Sequence, residues 1–189
     1  MVGIVTASDT PACLLLALFC SRSCPGSVIL RAYDLAVALR EAGVAVIGGF
    51  QTPMEREMLT VLLRGRQPVV LVDARGPRKR VPQEWRTAID GGMLRVVSPF
   101  EGVSRPTRQT SAERNRLVLQ SASAVLIAHA SPGGSTEALA DDVVARGLPL
   151  LTIDTDDDAN ANLRARGAVP ITASRDSWPA PLSELIPSG

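Results

Sequence analysis

The sequence predicts a doubly wound α/β domain, a mostly parallel Rossmann-like sheet with helices on both faces. Three observations carry this. Seven short apolar runs alternate with stretches of helical periodicity from one end of the chain to the other. Most of these runs are apolar at every position rather than at every second one, the pattern of strands buried on both sides. Aromatic residues make up only 3% of the 189 residues while hydrophobic residues reach 46%, so Ala, Val, Leu and Ile must build the core. Strand, helix and strand in repetition imply right-handed crossovers within one sheet.

The expected strands are residues 13–20 (CLLLALFC), 44–48 (VAVIG), 68–73 (PVVLVD), 93–98 (MLRVVS), 124–129 (AVLIAH) and 149–154 (PLLTID), with a weaker one at 168–172 (AVPIT). Helical patterns lie between them. In 27–43, Leu30, Tyr33, Leu35, Val37 and Leu39 fall near one broad face, and Gly43 is a suitable C-terminal cap. The stretch 53–65 opens with Pro53 at a favoured first helical position and stops at Gly65. Ser111 is an expected N-cap for 111–122, and Ser135 or Thr136 for 135–147, which ends at Gly147. The acidic run Asp154, Asp156, Asp157 and Asp158 is read as a cap for a helix at 158–166 rather than as a metal site. One domain over residues 1–173 is expected, followed by a Pro- and Ser-rich tail at 174–189 that is either loose or a packing arm.

Charge and cysteine content narrow the function classes. Lys plus Arg is 20 and Asp plus Glu is 19, a formal net charge of +1, so any attraction to nucleic acid must be local. Nearly every cation is arginine; Lys79 is the single lysine. Cys13, Cys20 and Cys24 are odd in number and lack framework spacing, which argues against a disulfide scaffold. The C-x3-C pair has no second ligand pair beside it, so no metal and no cofactor are expected. The run ACLLLALFC is too short to span a bilayer, which takes about 20 apolar residues, and no basic leader precedes it. No membrane partner is expected, and a reducing, cytoplasmic setting fits.

In such a sheet, ligands bind beyond the carboxyl ends of the strands, where strand order reverses. Three turns into helices there suit an anion, because helix N-termini offer free N–H groups and positive potential. They are Gly26 with Ser27, Gly48 with Gly49, and Gly133 and Gly134 with Ser135. There is no G-x-G-x-x-G after the first strand and no G-x-x-x-x-G-K-[ST], so neither a dinucleotide fingerprint nor a P-loop is present. Arg22, Arg114 and Arg116 are the arginines favoured for the site, and the two in the E-R-N-R run cannot share a helical face. Arg78, Lys79 and Arg80 are read as solvated or as carboxylate partners. His129, at the end of a buried strand, is read as a hydrogen-bonded structural residue. Glu113 and Glu137 are candidate carboxylate bases or helix-dipole partners.

These residues fall in an order that resembles a known family. CSR follows the first strand, VIGGF the second and VVSPF the fourth; ERNRLV and SPGGSTEAL come next. The series resembles the Rossmann-like core of DNA-processing protein A (DprA, also called Smf), whose pattern includes G-S-R, S-E-x-P, R-N-R and a Gly-Ser turn. The resemblance covers roughly residues 13–155 and implies binding of single-stranded DNA, in DNA processing during uptake and recombination, with a recombination protein as partner. By this resemblance Ser21, Arg22, Gly48, Gly49, Arg114, Asn115 and Arg116 line a pocket for phosphates or bases. Phe50 and Phe100 are the loop phenylalanines available for stacking. The family's flanking helical and winged-helix modules find no room here, so a short stand-alone form is expected.

The segment 113–139 also resembles the Lonely Guy phosphoribohydrolases, whose E-R-K motif and P-G-G-x-G-T-x-x-E turn cleave the N-glycosidic bond of a nucleoside monophosphate. That resemblance implies roles in catalysis for Arg114 and Glu137, with Pro132, Gly133, Gly134 and Thr136 forming the phosphate turn. Asn115 stands in place of its lysine, and one residue is missing between Gly134 and Thr136. The R-N-R of the first family matches without a gap, so nucleotide or DNA binding without catalysis is expected first. The hydrolase is the alternative, and a nucleotide-ligand sensor or interaction domain the third reading. A homodimer is the expected assembly.

Overall fold

A computed structural model describes residues 14–78 and 80–186. The strands are β1 (Leu16–Phe19), β2 (Val46–Gly48), β3 (Val69–Val72), β4 (Leu94–Val97), β5 (Ala124–Ile127), β6 (Leu150–Ile153) and β7 (Val169–Ile171). They form one sheet in the order β4-β3-β2-β1-β5-β6-β7. Every pairing is parallel. The helices are α1 (Gly26–Glu41), α2 (Pro53–Leu62), α3 (Gln83–Asp90), α4 (Arg108–Ser121), α5 (Ser135–Ala145), α6 (Asp158–Ala165) and α7 (Ala180–Ser183). All seven expected strands are present, each trimmed to the span that pairs. Cys13 and Lys79 lie outside the described residues.

Both faces of the sheet are covered, as the unbroken apolar runs require. Leu16 and Leu18 of β1 pack with α1 and α2 on one face, while Leu15, Ala17 and Phe19 pack with α4 and α5 on the other. Residues beyond 174 continue on the first face, where Trp178, Leu182 and Leu185 join the same core cluster as α1. The Trp178 indole N–H donates to the Thr172 carbonyl at 2.8 Å, so its polar edge is satisfied as it is buried.

Three sequence expectations shift, and one helix appears where none was expected. The buried side of α1 is Val28, Ala32, Leu35, Ala36, Ala38 and Leu39, whereas Leu30 is 71% exposed and Tyr33 44%. Small alanines let α1 approach the sheet and leave the larger residues outside. Helix α4 starts earlier than expected, because Thr107 and Thr110 form a reciprocal cap; Ser111 therefore lies within the helix and caps nothing. The cap of α5 is Gly134, with no side-chain hydrogen bond, rather than Ser135 or Thr136. Helix α3 was not anticipated; it is short and turns only Ala88 fully inward.

Candidate functional site

Strand order reverses between β1 and β5, and the loops leaving these two strands are stitched together. The Ser21 N–H donates to the His129 carbonyl at 2.8 Å. The Ser131 N–H donates to Ser21 Oγ at 2.8 Å. Asp157 caps α6 by accepting from the Ala159 and Asn160 N–H groups at 3.0 and 3.3 Å. Its Oδ1 also lies 3.3 Å from His129 Nε2, so His129 is held between the loop and the helix cap. The floor of the switch point is thus rigid, and Arg22 stands exposed above it.

Two clefts open on this floor, and Arg22 lines both. The first, about 960 Å³, runs between α4 and the start of α5, with Arg108, Asn115, Arg116, Gly133, Gly134 and Ser135 in its walls. The second, about 600 Å³, lies over the ends of β2 and β3, lined by Phe50, Gln51, Arg56, Arg75, Arg78 and Trp85 among others. Acidic side chains are few: Asp142 in the first, Asp73 and Glu84 in the second. Asp73 is already neutralised, since Arg78 Nε sits 2.7 Å and Arg75 Nε 3.4 Å from its Oδ2. Arg78 also stacks on the Trp85 ring at 4.9 Å, a cation–π contact that fixes its fork.

The three candidate anion turns differ. The start of α5 is open: the Ser135, Thr136 and Glu137 N–H groups meet no acceptor among the described residues. Just before it, the Gly133 N–H donates to Glu137 Oε2 at 2.7 Å and the Gly134 N–H to the Ser131 carbonyl at 3.0 Å. Glu137 is held from the other side by Arg166 at 3.2 Å. Gly133 adopts φ +69°, a left-handed turn that glycine makes without strain. The start of α1 has no side-chain cap and no acidic residue in its first turn, but Gly26 and Ser27 line neither cleft. The start of α2 is sealed. Thr52 and Glu55 form a capping box, and the buried Glu55 carboxylate also takes the Gln51 N–H at 2.8 Å and the Cys20 N–H at 2.9 Å.

The glycine pair after β2 serves a different neighbour. A Cβ on residue 49 would fall on the Arg114 guanidinium, so only glycine leaves room for it. Arg114 is 7% exposed. Its Nε and Nη1 are buried without a hydrogen-bond partner, as is Asn115 Oδ1 next to it. Burial holds the Arg114 pKa below the ordinary arginine value, while Glu55 and Asp73 oppose the shift. A buried cation with idle donors is costly and is ordinarily satisfied by something. Beside it, Phe50 takes a positive φ of 46°, a strained position for a bulky residue and one at the mouth of the second cleft.

No family model and no curated protein matches the sequence. Solved structures do. DNA processing protein A from Streptococcus pneumoniae superposes with a TM-score of 0.69 at 17% identity, over 85% of this chain and 59% of that one. DNA processing protein A from Helicobacter pylori, solved for its single-stranded DNA binding mode, superposes at 0.68 and 19% identity, over 86% and 76%. The fold is that of a DprA-like Rossmann core. The chain spans about three-fifths of the S. pneumoniae protein. A molybdenum cofactor binding protein from Rippkaea orientalis shares the architecture at TM-score 0.60 and 10% identity, over 87% and 93%. The molybdenum cofactor carrier protein of Chlamydomonas reinhardtii does so at 0.57 and 10%, over 85% and 91%.

Within this DprA-like core, the sequence candidates separate into three groups. Arg22, Asn115, Arg116, Gly133, Gly134 and Ser135 come together in the first cleft. Ser21, Gly48, Gly49 and Arg114 lie beneath as support; Phe50 borders the second cleft but is only 3% exposed and packs into the core, so it is not the stacking ring the sequence suggested. Gly26, Ser27, Pro132 and Thr136 sit on the flanking turns without lining either cleft. Sequence reasoning missed Glu55, Asp73, Arg56, Arg75 and Trp85. The signals were present for two of them: T-x-x-E before an apolar run marks a capping box, and an Asp ending a buried strand at a ligand-binding edge invites a cation.

Proposed function

We propose that this DprA-like core binds single-stranded DNA along the carboxyl edge of its sheet. The observation that carries the reading is that Arg22 belongs to both clefts, so a row of cations runs across the switch point. Arg108 and Arg116 extend it on one side, and Arg56, Arg75 and Arg78 on the other. A single nucleotide needs one phosphate site. A path through two clefts suits a chain of phosphodiesters, with open N–H groups at the start of α5 for one phosphate and the half-buried Trp85 ring in the other cleft for a base. The overall charge of +1 makes the attraction local, set by this edge and not by the whole molecule.

The hydrolase alternative needs Glu137 free to act on a ribose, but its carboxylate is clamped by the Gly133 N–H and Arg166. Binding without cleavage is therefore the reading adopted. A role in DNA uptake or recombination, a recombination-protein partner and a homodimer are parts of the same proposal; sedimentation with and without oligonucleotide reads the last.

Fluorescence anisotropy with labelled single- and double-stranded oligonucleotides over a salt series tests it. Tighter binding to single strands is expected, with affinity falling steeply as salt rises. Arg22→Ala is expected to weaken binding by about tenfold, the loss of one charge-assisted phosphate contact. Equal affinity for both forms, or no binding at low salt, would overturn the proposal.

A further inference from the structure

The row of cations continues past the second cleft. A smaller cavity of about 320 Å³ adjoins it, between the loops that leave β3 and β4. Arg75 and Arg78 line both, and Arg80 joins them in the smaller one. No acidic side chain is among the described residues that line it. β4 is the edge strand, so the carboxyl edge of the sheet ends here.

These arginines are held in place before any ligand arrives. The buried Asp73 carboxylate takes Nε of Arg78 at 2.7 Å and Nε of Arg75 at 3.4 Å. It engages one edge of each guanidinium, and the Nη groups of both meet no acceptor among the described residues. The Trp85 ring fixes Arg78 from one side. Fixed forks lose little freedom on binding an oxyanion. The opposite wall is also tied down. The Gly76 N–H donates to the Val103 carbonyl at 2.8 Å, and a Cβ at residue 76 would come within 2.7 Å of the Phe100 carbonyl oxygen. Arg80 is exposed and has no ion pair among the described residues.

We infer that this cavity is a site for a phosphate monoester, filled by the terminal phosphate of a DNA strand that lies in the two clefts. The charge count selects the ligand. Three guanidinium groups against the one carboxylate of Asp73 leave two positive charges in excess. An internal phosphodiester brings a single negative charge. A phosphate monoester brings about −1.5 to −2 near neutral pH and three acceptor oxygens, which balances the excess and gives each fork an oxygen. The place agrees with the count, because the cavity lies where the row of cations stops. The strand as the source of the phosphate rests on the DNA-binding reading; the phosphate site does not.

The test compares single-stranded oligonucleotides of one sequence, labelled internally, that end in a 5′-hydroxyl, a 5′-phosphate, a 3′-phosphate or the methyl ester of either phosphate. A free phosphate at one end is expected to tighten binding to the full chain about tenfold, and its methyl ester to lose most of that gain. Arg80→Ala is expected to abolish the gain while leaving the affinity for the hydroxyl-ended strand unchanged. Arg66→Ala, which removes the same charge from the exposed loop entering β3 at the opposite edge, is expected to keep it. No gain at either end, an equal gain from the methyl ester, or a gain that survives Arg80→Ala would overturn the strand-end site. Calorimetry with glycerol 3-phosphate separates the source. If the protein binds no oligonucleotide, the DNA reading fails; glycerol 3-phosphate binding that Arg80→Ala abolishes still upholds the phosphate site, and no binding overturns it.

Discussion

Arg114 is a cost to the fold that the proposed DNA-binding reading would turn to use. Its guanidinium is buried against Gly49, with Nε and Nη1 idle. Neither nearby carboxylate depends on it: Glu55 is satisfied by backbone N–H groups and Asp73 by Arg75 and Arg78. Arg114→Met is therefore expected to hold or raise stability by about 1 kcal/mol, because a poorly partnered buried charge is replaced by an apolar chain of similar length. The same variant is expected to bind oligonucleotide more weakly. Thermal melting alongside anisotropy checks this, and a clear fall in Tm would assign Arg114 to the scaffold alone. Helical spacing showed that Arg114 and Arg116 could not share a face. Which of them goes inward is decided by the glycine at 49, a contact between residues far apart in sequence.

Helix starts are the elements that decide where an anion can sit, and the three starts here were only partly readable. Gly-Gly followed by a helix looks alike after β2 and after β5. What separates them is Glu55, which spends its carboxylate on closing α2, and Gly134, which leaves α5 without a side-chain cap. The strands were legible because unbroken apolar runs have one physical use in a chain of this length. Caps were less so: Thr107 and Thr110 brace one another and displace Ser111 from the role its position suggested. At α5, Glu137 puts a negative charge beside the groove. Glu137→Gln is expected to tighten oligonucleotide binding by about two- to fivefold, the scale of a charge at a helix N-terminus. A hydrolase would instead lose base release in that variant, so measuring both quantities separates the readings.

At the scale of the molecule, the sheet order places everything of interest on one edge. β1 lies at the centre with strands added outward on both sides, so the loops after β1 and β5 must diverge and leave a crevice. Topology of this kind follows from the strand–helix alternation that the sequence shows. The sequence does not show which loops meet: the Asp73–Arg78–Trp85 group joins the end of β3 to α3, a helix with too little apolar surface to announce itself. Trp178, Leu182 and Leu185, late in the chain, join the same core cluster as α1 and α2, and none of them lines either cleft.

The sharing of Arg22 has a consequence for stoichiometry. Two clefts with one cation between them are not two independent sites. A short ligand, such as a nucleoside monophosphate, that recruits Arg22 into one cleft withdraws it from the other, so a second molecule meets a weaker site. Titration calorimetry with mononucleotides is expected to show anticooperative filling, the first ligand weakening the second, and Arg22→Ala is expected to remove this coupling and leave two independent events. A strand long enough to occupy both clefts escapes this competition, since its neighbouring phosphates use the same arginine at once. Discrimination by ligand length is then a property of the shared side chain, without any contact that reads a base.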